Sequence, residues 1–388
     1  MKRRRLLGLV AWSVVGFAIA AVWQDGVTAQ QKTTVSDTPG TPFKLATFEA
    51  DGKIRVGMSV QDKLLDIAAA NAYVAKQAGL PAVTIPDNML ALIEQYGTVS
   101  KRLYQIANYM GAQNRLAGAG IGFSYDPTKV SIKAPIKYPY NILAAAANYK
   151  SHAQEMAGPR PAGAAPAAGA PPAGAPPTGG GGFQAVDVDP DKEDPHFFAK
   201  SPRSCIIDPG EPYFIKEGDN IDWEAELAII IGKPALNVSL EQAHDYVFGY
   251  SIMYDVSRRG GAGRPLNKMF PGTNWFRGKS TDRGAPFGPY IIPKEFVADP
   301  ANLRIMTRVN GVVKQDGNSK DLIYDEAHMV RFLTSVLTFY PGDVISTGTP
   351  DGVGAGRRPP EFLKPGDVVE IEIEGIGVLR TPMKAAAP

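Results

Sequence analysis

The chain has 388 residues, of which 44% are hydrophobic, 21% charged and 9% aromatic, a composition typical of globular rather than disordered or fibrous proteins. At roughly 100–200 residues per domain, this length predicts two or three folded units. The 41 basic and 39 acidic residues give a formal charge of +2, which excludes a strongly basic nucleic-acid-binding protein. The single cysteine, Cys205, has no partner for an internal disulfide or a cysteine zinc site.

The first thirty residues have the pattern of an export signal. A basic run at 2–5, which resembles a twin-arginine signal, precedes the uncharged, mostly apolar segment 6–22, and Ala29 offers a small residue before a cleavage point. The alternative is an uncleaved membrane anchor, although a spanning helix needs about 20 apolar residues. We favour a cleaved signal at 1–29, which predicts a protein of the bacterial periplasm with no stable membrane insertion after cleavage.

The next segment predicts a linker and then a β-hairpin. Residues 30–42 are polar and contain Pro and Gly, as linkers do. From Phe43 to Val60, alternating apolar positions flank Asp51 and Gly52, a pair that favours a tight hairpin turn.

Two helices are predicted beyond the hairpin. Apolar residues recur with helical spacing over Ile67–Gln77 and over Asn88–Ala112, and Asp87 is placed to cap the second helix. Together with the hairpin they predict a small α+β domain over residues 43–135.

A low-complexity insertion interrupts the chain at 157–182. All of its residues except Arg160 and Thr178 are Ala, Gly or Pro, so the segment predicts a flexible or polyproline-like loop. It is interpreted either as a lid or tether beside a site or, the alternative we favour, as a low-complexity insertion tolerated at an exposed loop.

The remainder of the chain is rich in strand-like segments. Apolar runs at Leu227–Ile231, Tyr250–Val256 and Val368–Ile376 predict strands, and Ser319–Leu337 predicts a helix. The expected fold class is therefore α+β and β-dominated, with the second domain over residues 136–388.

Three carboxylates next to the predicted strands are candidates for a metal site. Glu224 and Glu226 alternate along one strand and therefore share a face, and Asp255 ends another apolar strand. For the glutamate pair alone, a metal site and an exposed sheet edge are equally good interpretations. The third carboxylate favours a hard cation, Mg²⁺, Mn²⁺ or Ca²⁺ rather than Zn²⁺, because all the ligands are oxygens.

An ordered series of motifs resembles the fumarylacetoacetate hydrolase family. The segments that carry this resemblance are N-Y-K-S-H-A-Q-E at 148–155, F-A-K-S-P at 198–202, D-W-E-A-E-L at 222–227, G-Y-S-I-M-Y-D-V-S-R-R at 249–259, F-R-G-K-S at 276–280, G-T-P-D-G-V-G at 348–354 and K-P-G-D at 364–367. Each motif alone is a weak signal, whereas their order over one chain is specific.

The resemblance implies a mixed β-roll catalytic domain that forms a homodimer and holds one Mg²⁺ or Mn²⁺. Family members cleave a carbon–carbon bond beside a ketone, or they decarboxylate or isomerise related oxo-acids. The implied roles, carried over by motif position, are metal ligation by Glu224, Glu226 and Asp255, catalysis by His152, Glu155 and Lys279, and substrate binding by Arg259, Thr349 and Tyr149.

General chemistry supports the catalytic pair. Histidine has a pKa of about 6.5 and needs little adjustment to act as a base near neutral pH. His152 and Glu155 are three residues apart, so a helix places them on one face. The alternatives are a structural role for His152 and a surface position for Lys279 and for Arg259 beside Arg258.

One motif departs from the family. The family continues the aspartate segment to a glutamine that contacts substrate, and Ala262 stands at that position here. The leading hypothesis is a metal-dependent hydrolase of a C–C bond in a β-dicarbonyl or acylpyruvate-like compound. The alternatives are a decarboxylase, isomerase or lyase of a related 2-oxo acid and, third, a non-catalytic periplasmic binding protein. The expected partner is a small oxo-acid or diketone.

Overall fold

A computed structural model describes residues 35–112, 115–118, 120–157, 187–261 and 274–387. The predicted export signal at 1–29, all but the first residue of the insertion at 157–182, and Ala262 lie outside the described residues. No helix within the described ranges is both long enough and apolar enough to cross a membrane.

The described residues form strands β1–β20 and helices α1–α8. The strands are β1 (Lys44–Ala50), β2 (Lys53–Val60), β3 (Lys63–Asp66), β4 (Ser124–Tyr125), β5 (Ser131–Lys133), β6 (Ile142–Ala145), β7 (Phe197–Ala199), β8 (Ile206–Ile207), β9 (Tyr213–Ile215), β10 (Ile221–Asp222), β11 (Ala225–Ile231), β12 (Val247–Tyr254), β13 (Ser257–Arg258), β14 (Ala285–Pro286), β15 (Ile292–Pro293), β16 (Arg304–Val309), β17 (Val312–Asn318), β18 (Val344–Ser346), β19 (Val368–Ile373) and β20 (Gly377–Ala385). The α-helices are α1 (Ile67–Ala78), α2 (Met89–Glu94), α3 (Tyr96–Met110), α4 (Lys150–Ala157), α5 (Pro202–Cys205), α6 (Ala243–Tyr246), α7 (Trp275–Lys279) and α8 (Glu326–Val336). Short 3-10 turns lie at Pro127–Lys129, Lys294–Phe296, Ser319–Asp321 and Gly354–Gly356.

The N-terminal sheet has the strand order β4-β3-β2-β1-β5 and confirms the predicted hairpin. Ala50 lies opposite Lys53 in the antiparallel register, so Asp51 and Gly52 form the two-residue turn. Both have positive φ, 51° and 70°, as a type I′ turn requires at its two central positions.

The helices of this region differ partly from the prediction. The first is confirmed as α1, and the side chain of Asp66 caps it by accepting hydrogen bonds from Ala68 N and Ala69 N at 3.0 and 3.3 Å. The single helix predicted over 88–112 is wrong in extent. The structure has two helices, α2 and α3, and the helix is interrupted between them at Gln95 (φ −100°, ψ 10°).

The predicted cap of the second helix is also displaced by one residue. Asn88, rather than Asp87, caps α2, because its Oδ1 accepts a hydrogen bond from Ala91 N at 2.9 Å. A cap side chain accepts from the amide two or three residues further on, and in this chain the first helical residue is Met89.

The largest sheet has six strands in the order β15-β12-β11-β18-β6-β7. Its centre is the antiparallel pair β11 and β12, in which Glu226 lies opposite Met253. Every residue of both strands is buried. The β18–β6 pair is parallel, so this sheet is mixed.

A second five-stranded sheet, with order β17-β16-β19-β20-β9, completes the strand framework. The helix predicted at 319–337 is shorter than expected, because the chain forms a 3-10 turn at Ser319–Asp321 and begins α8 only at Glu326. Asp325 caps α8 by accepting a hydrogen bond from His328 N at 3.0 Å.

The N-terminal sheet and the six-stranded sheet share one hydrophobic core. Ile106 of α3 belongs to the same buried cluster as Ile230, Phe248 and Val344, and the described residues form one compact unit. The β-dominated α+β class is confirmed. The shared core fixes the central strands, and these carry the candidate site at one end.

Candidate active site

The three candidate metal ligands meet where β11 begins and β12 ends. Asp255 N donates a hydrogen bond to Glu224 O at 3.0 Å, and this backbone contact brings the two side chains together. Glu226, two residues further along, points to the same side. One carboxylate oxygen from each of the three lies within 4.8 Å of the others, and all three residues are buried.

Two lysines neutralise this cluster. Lys279 Nζ donates to Glu224 Oε2 and to Asp255 Oδ2, both at 2.5 Å, and to Ser257 Oγ at 2.7 Å. Lys200 Nζ donates to Asp255 Oδ1 at 2.6 Å. Lys279 is 5% exposed and Lys200 is 1% exposed, so the interpretation of Lys279 as a surface lysine is wrong.

Arg259 joins the cluster from the other side. Its Nε donates to Asp222 Oδ2 at 3.0 Å, and a terminal nitrogen donates to Glu224 Oε1. Its guanidinium therefore contacts two carboxylates as well as facing the pocket, and the interpretation of Arg259 as part of a solvated basic pair is wrong. Arg258 instead pairs with Asp219.

The two glutamates experience different electrostatic environments. Burial together with the charges of Asp255 and Glu224 raises the pKa of Glu226 to about 8. Burial also pushes the pKa of Glu224 upward, but Lys279 and Arg259 outweigh it and hold that pKa well below its usual range. The position of the cations in the cluster therefore makes Glu224 the more firmly ionised of the two.

Glu226 is held by uncharged donors. Ser346 Oγ donates to its Oε2 at 2.5 Å, and Gly348 N donates to the same oxygen at 3.1 Å. Ser346 is the last residue of β18, and Gly348 lies two residues beyond it. Strand β18 pairs with β11, the strand that carries Glu226. The sheet therefore fixes the orientation of this carboxylate.

The predicted catalytic pair lies on α4, as the helical spacing indicated. His152 is 3% exposed, and its Nδ1 is 3.6 Å from Glu155 Oε2. Glu155 in turn accepts hydrogen bonds from Gly352 N at 3.0 and 3.1 Å. The loop after β18 therefore supports the carboxylate that faces the imidazole.

Thr349 and Tyr149 occupy different positions. Thr349 is 2% exposed, lines the pocket and accepts a hydrogen bond from Gln315 Nε2 at 2.8 Å. Tyr149 is fully buried in the core, where burial and the nearby charge of Glu226 raise its pKa. Tyr149 is absent from the pocket lining in the described part of the chain, so the structure does not bring it together with the other predicted substrate-binding residues.

A narrow pocket brings most of the predicted residues together. The side chains that line it are Ala145, Ala146, Ala147, His152, Phe198, Glu224, Glu226, Arg259, Trp275, Lys279 and Thr349. Phe198 and Trp275 stack with ring centroids 5.2 Å apart, and Lys279 Nζ is 5.0 Å from the centroid of the Phe198 ring. The site thus combines carboxylates, cations, an imidazole and an aromatic wall.

The donor set fits a divalent metal. Hard cations such as Mg²⁺ and Mn²⁺ bind carboxylate oxygens, and Glu224, Glu226 and Asp255 offer three within 4.8 Å. Buried carboxylates at this separation repel one another unless cations compensate them. A bound divalent ion would add to the compensation that the two lysines already provide.

Four further residues of the site were not identified as functional from the sequence. Lys200 occurs in the F-A-K-S-P motif and Asp222 opens the D-W-E-A-E-L motif, so a signal was present for both. Ser346 and Gln315 stand outside these motifs, and only the fold brings them to Glu226 and Thr349.

The other histidines and the cysteine lie apart from the pocket lining. His244 and His328 form surface contacts with Glu326 and Asp325, whereas the ring of His196 packs against Trp275. Cys205 is buried, and its burial raises the pKa of its thiol.

Comparison with known proteins gives a consistent family assignment. The family model for the fumarylacetoacetate hydrolase C-terminal domain matches residues 141–384. The oxaloacetate tautomerase YisK of Bacillus subtilis is 32% identical over 87% of this chain and 98% of its own length. The mitochondrial oxaloacetate tautomerase FAHD2A of Homo sapiens is 34% identical over 65% of this chain and 69% of its own length.

Solved structures agree with this comparison. The fumarylacetoacetate hydrolase of Exiguobacterium antarcticum matches with a TM-score of 0.62 and 29% identity, covering 89% of this chain and all of its own. The maleylpyruvate hydrolase of Sphingobium sp. SYK-6 matches with a TM-score of 0.59 and 26% identity over 88% of this chain and all of its own. A structure of the latter enzyme with manganese(II) and pyruvate matches as well, with a TM-score of 0.59 and 25% identity, covering 89% of this chain and all of that one.

Proposed function

This chain belongs to the fumarylacetoacetate hydrolase family, and we propose that it is a divalent-metal-dependent tautomerase that interconverts the keto and enol forms of oxaloacetate or a related 2-oxo diacid. The observation that carries the proposal is one pocket lined by His152, the glutamates of the candidate metal site and Lys279. The similarity to oxaloacetate tautomerases over most of the chain supports this activity, which was an alternative to the hydrolase that the sequence favoured.

Each side chain has a part in such a reaction. Tautomerisation removes a proton from the carbon beside the keto group and delivers a proton to the oxygen, with no water consumed. His152, which lines the pocket, is the proposed base for the carbon-bound proton, and its Nδ1 faces Glu155. Lys279 lines the pocket, and its ammonium is the proposed stabiliser of the negative charge that develops on oxygen.

Glu224, Glu226 and Asp255 would hold the metal, with Mg²⁺ or Mn²⁺ as the proposed ion. When bound, a divalent cation supplies Lewis-acid polarisation of the substrate carbonyl. Arg259 and Thr349 face the same pocket and are the proposed contacts for a substrate carboxylate. The stacked rings of Phe198 and Trp275 form an aromatic wall of the pocket.

A second candidate function is hydrolysis of a C–C bond in an acylpyruvate-like compound. It is favoured by the His152–Glu155 pair, which could orient a water molecule, and by the similarity to maleylpyruvate hydrolase. In that reaction a hydroxide adds to the distal carbonyl, the C–C bond breaks, and the enolate that leaves takes up a proton.

The test is a turnover assay on the purified chain with Mg²⁺, Mn²⁺ or EDTA. Acceleration of the ketonisation of enol-oxaloacetate, abolished by EDTA and in Glu226→Gln, is the expected result. Cleavage of acylpyruvates to pyruvate and a carboxylic acid, with no effect on oxaloacetate, would instead establish the hydrolase. Glu370→Gln, a surface substitution on β19, is the matched control and should retain the activity of the natural chain.

We further propose that the protein is exported and forms a homodimer. The export proposal depends on the basic and apolar pattern of residues 1–29, and mass spectrometry of the protein recovered from the periplasm tests it through the expected N-terminus at Gln30. Recovery of full-length protein in the membrane fraction would instead support the uncleaved anchor. Light scattering of the purified chain tests the dimer, which a monomeric mass would refute.

A further inference from the structure

Asp222 is a buried carboxylate that accepts four hydrogen bonds beside the candidate metal site. Its Oδ1 accepts from Trp223 N at 2.9 Å and from Gly354 N at 2.6 Å. Its Oδ2 accepts from Ala355 N at 3.1 Å and from Arg259 Nε at 3.0 Å. Asp222 is 0% exposed and is absent from the pocket lining among the described residues, so it acts through its neighbours.

The hydrogen bonds from Gly354 N and Ala355 N tie Asp222 to the turn at 352–356. The same turn also holds Glu155, through Gly352 N. Packing is tight at both contacts. A Cβ on Gly354 would lie 2.8 Å from Asp222 Oδ1, and a Cβ on Gly356 would lie 2.2 Å from Glu155 Cδ. The turn is therefore clamped between the two carboxylates, and a shift of one displaces the support of the other.

The remaining bond ties Asp222 to Arg259, whose guanidinium also contacts Glu224. Among the described residues, these are the two carboxylates that form ion pairs with Arg259. Because Asp222 also pairs with the guanidinium of Arg259, Glu224 does not have to compensate the whole of that buried positive charge. If Asp222 lost its charge, Arg259 would pair more fully with Glu224 and compete with a metal for it.

We propose that Asp222 is a positioning residue that holds both halves of the active site, Arg259 with Glu224 on one side and the 352–356 turn with Glu155 on the other. The inference rests on the proposed function, because it assigns Glu224 to the metal and Glu155 to catalysis. It adds a role for a residue that neither lines the pocket nor belongs to the three candidate metal ligands.

The experiment compares Asp222→Asn with Asp343→Asn in the full chain. Asp343 is also 0% exposed and accepts hydrogen bonds from Asn141 and Tyr340. It lies at the opposite end of β11 from Glu224, where Ile231 N donates to its carbonyl oxygen. The two substitutions remove the same charge from equally buried positions, but only Asp222 is connected to the site.

Four quantities separate a positioning role from a purely structural one. They are the Mn²⁺ dissociation constant by calorimetry on metal-stripped protein, kcat and KM for oxaloacetate tautomerisation, and the Tm. We expect Asp222→Asn to weaken Mn²⁺ binding by about 10- to 100-fold, the range seen for residues that orient metal ligands, and to lower kcat more than it raises KM. Asp343→Asn should lower only the Tm.

Equal losses of Tm with unchanged Mn²⁺ binding and kcat in both variants would overturn the inference. If Asp222→Asn is not recovered folded, Arg259→Lys and Gly356→Ala test the two halves separately, through Mn²⁺ binding and through kcat. Normal values in both would equally overturn it. Absence of tautomerase turnover in the natural chain would refute the proposed function, while the Mn²⁺ titrations would still decide the connection from Asp222 to Glu224.

Discussion

The N-terminal helical layer and the end of β11 use burial in opposite ways. Helix α3 buries Val99, Leu103 and Ile106, and such apolar contacts stabilise the fold by about 25 cal/mol per Å² of surface removed from water. The end of β11 instead buries Glu224 and Glu226 among other charges, and buried charges contribute little net stability even when paired. The charged cluster therefore adds little to stability, and this supports its proposed role in holding a metal ion.

Arg102 shows that the N-terminal region can bury a cation without a carboxylate. It is 4% exposed, and its guanidinium donates to Gln105, Asn71 and the carbonyl of Pro81 at 2.6–2.9 Å. Burial lowers its pKa. Neutral acceptors are sufficient for a buried cation in a structural role, whereas in the candidate active site the buried cations pair with carboxylates.

Replacement of the candidate base should have the largest effect on activity. His152→Asn removes the imidazole that lines the pocket, and loss of a general base lowers turnover by about 10²- to 10⁴-fold. Steady-state kinetics with oxaloacetate measure this loss, and calorimetry with Mn²⁺ should give an unchanged dissociation constant. Weaker metal binding in this variant would contradict the assignment of separate roles to His152 and to the three candidate metal ligands.

Removing a cation from the cluster should reduce stability most strongly in the absence of metal. Lys279→Met leaves Glu224 and Asp255 with less compensation, and breaking a buried ion pair costs about 3–5 kcal/mol. Thermal melts in EDTA should show this loss, and saturating Mn²⁺ should reverse part of it, because an ion that binds only the folded state stabilises it. Identical losses with and without Mn²⁺ would argue against a metal site.

A cavity in the apolar region should affect stability alone. Leu103→Ala removes a fully buried side chain of α3, and such truncations cost about 2–5 kcal/mol. Urea unfolding measures this cost, while kcat and KM of the folded enzyme should equal those of the natural chain. Altered kinetics would mean that the two regions are coupled more closely than their contacts indicate.

The smallest expected effect concerns Tyr96 and Tyr104 of α3, which contact Glu295 in the 3-10 turn after β15. Tyr104 and Tyr96 both donate to Glu295 Oε1, at 2.6 and 2.5 Å. Burial and the hydrogen bond to Glu295 raise the pKa of Tyr104 to about 12. Its contribution to stability is therefore complete below the ordinary value of about 10 and is lost as the pH rises from there through 12.

Tyr104→Phe isolates this contribution. The hydrogen bond is partly exposed, so its loss should cost about 1 kcal/mol or less at neutral pH. Urea unfolding between pH 8 and about 12 should show the natural chain converging on the variant as the pH rises. A constant difference between the two across this range would contradict the assignment.

The local elements were predictable where a short-range signal determines them. Asp51 and Gly52 specify the hairpin turn, and the alternation of Glu224 and Glu226 along a strand predicts a shared face. The break at Gln95 was missed because apolar spacing continues across it. The cap at Asn88 rather than Asp87 depends on which residue begins the helix, and neighbouring polar residues give the same signal.

Residue type and local periodicity were sufficient to predict three features of this protein. They are the shared face of the two alternating carboxylates, the placement of His152 and Glu155 on one face of a helix, and the family that the order of the motifs indicates. Only the tertiary structure decided that Lys200 pairs with Asp255, that Asp222 holds both Arg259 and the 352–356 turn, and that Ser346 orients Glu226. These partners are 37 to 132 residues apart. Their contact depends on how the sheets close around a common core, and local patterns do not encode it.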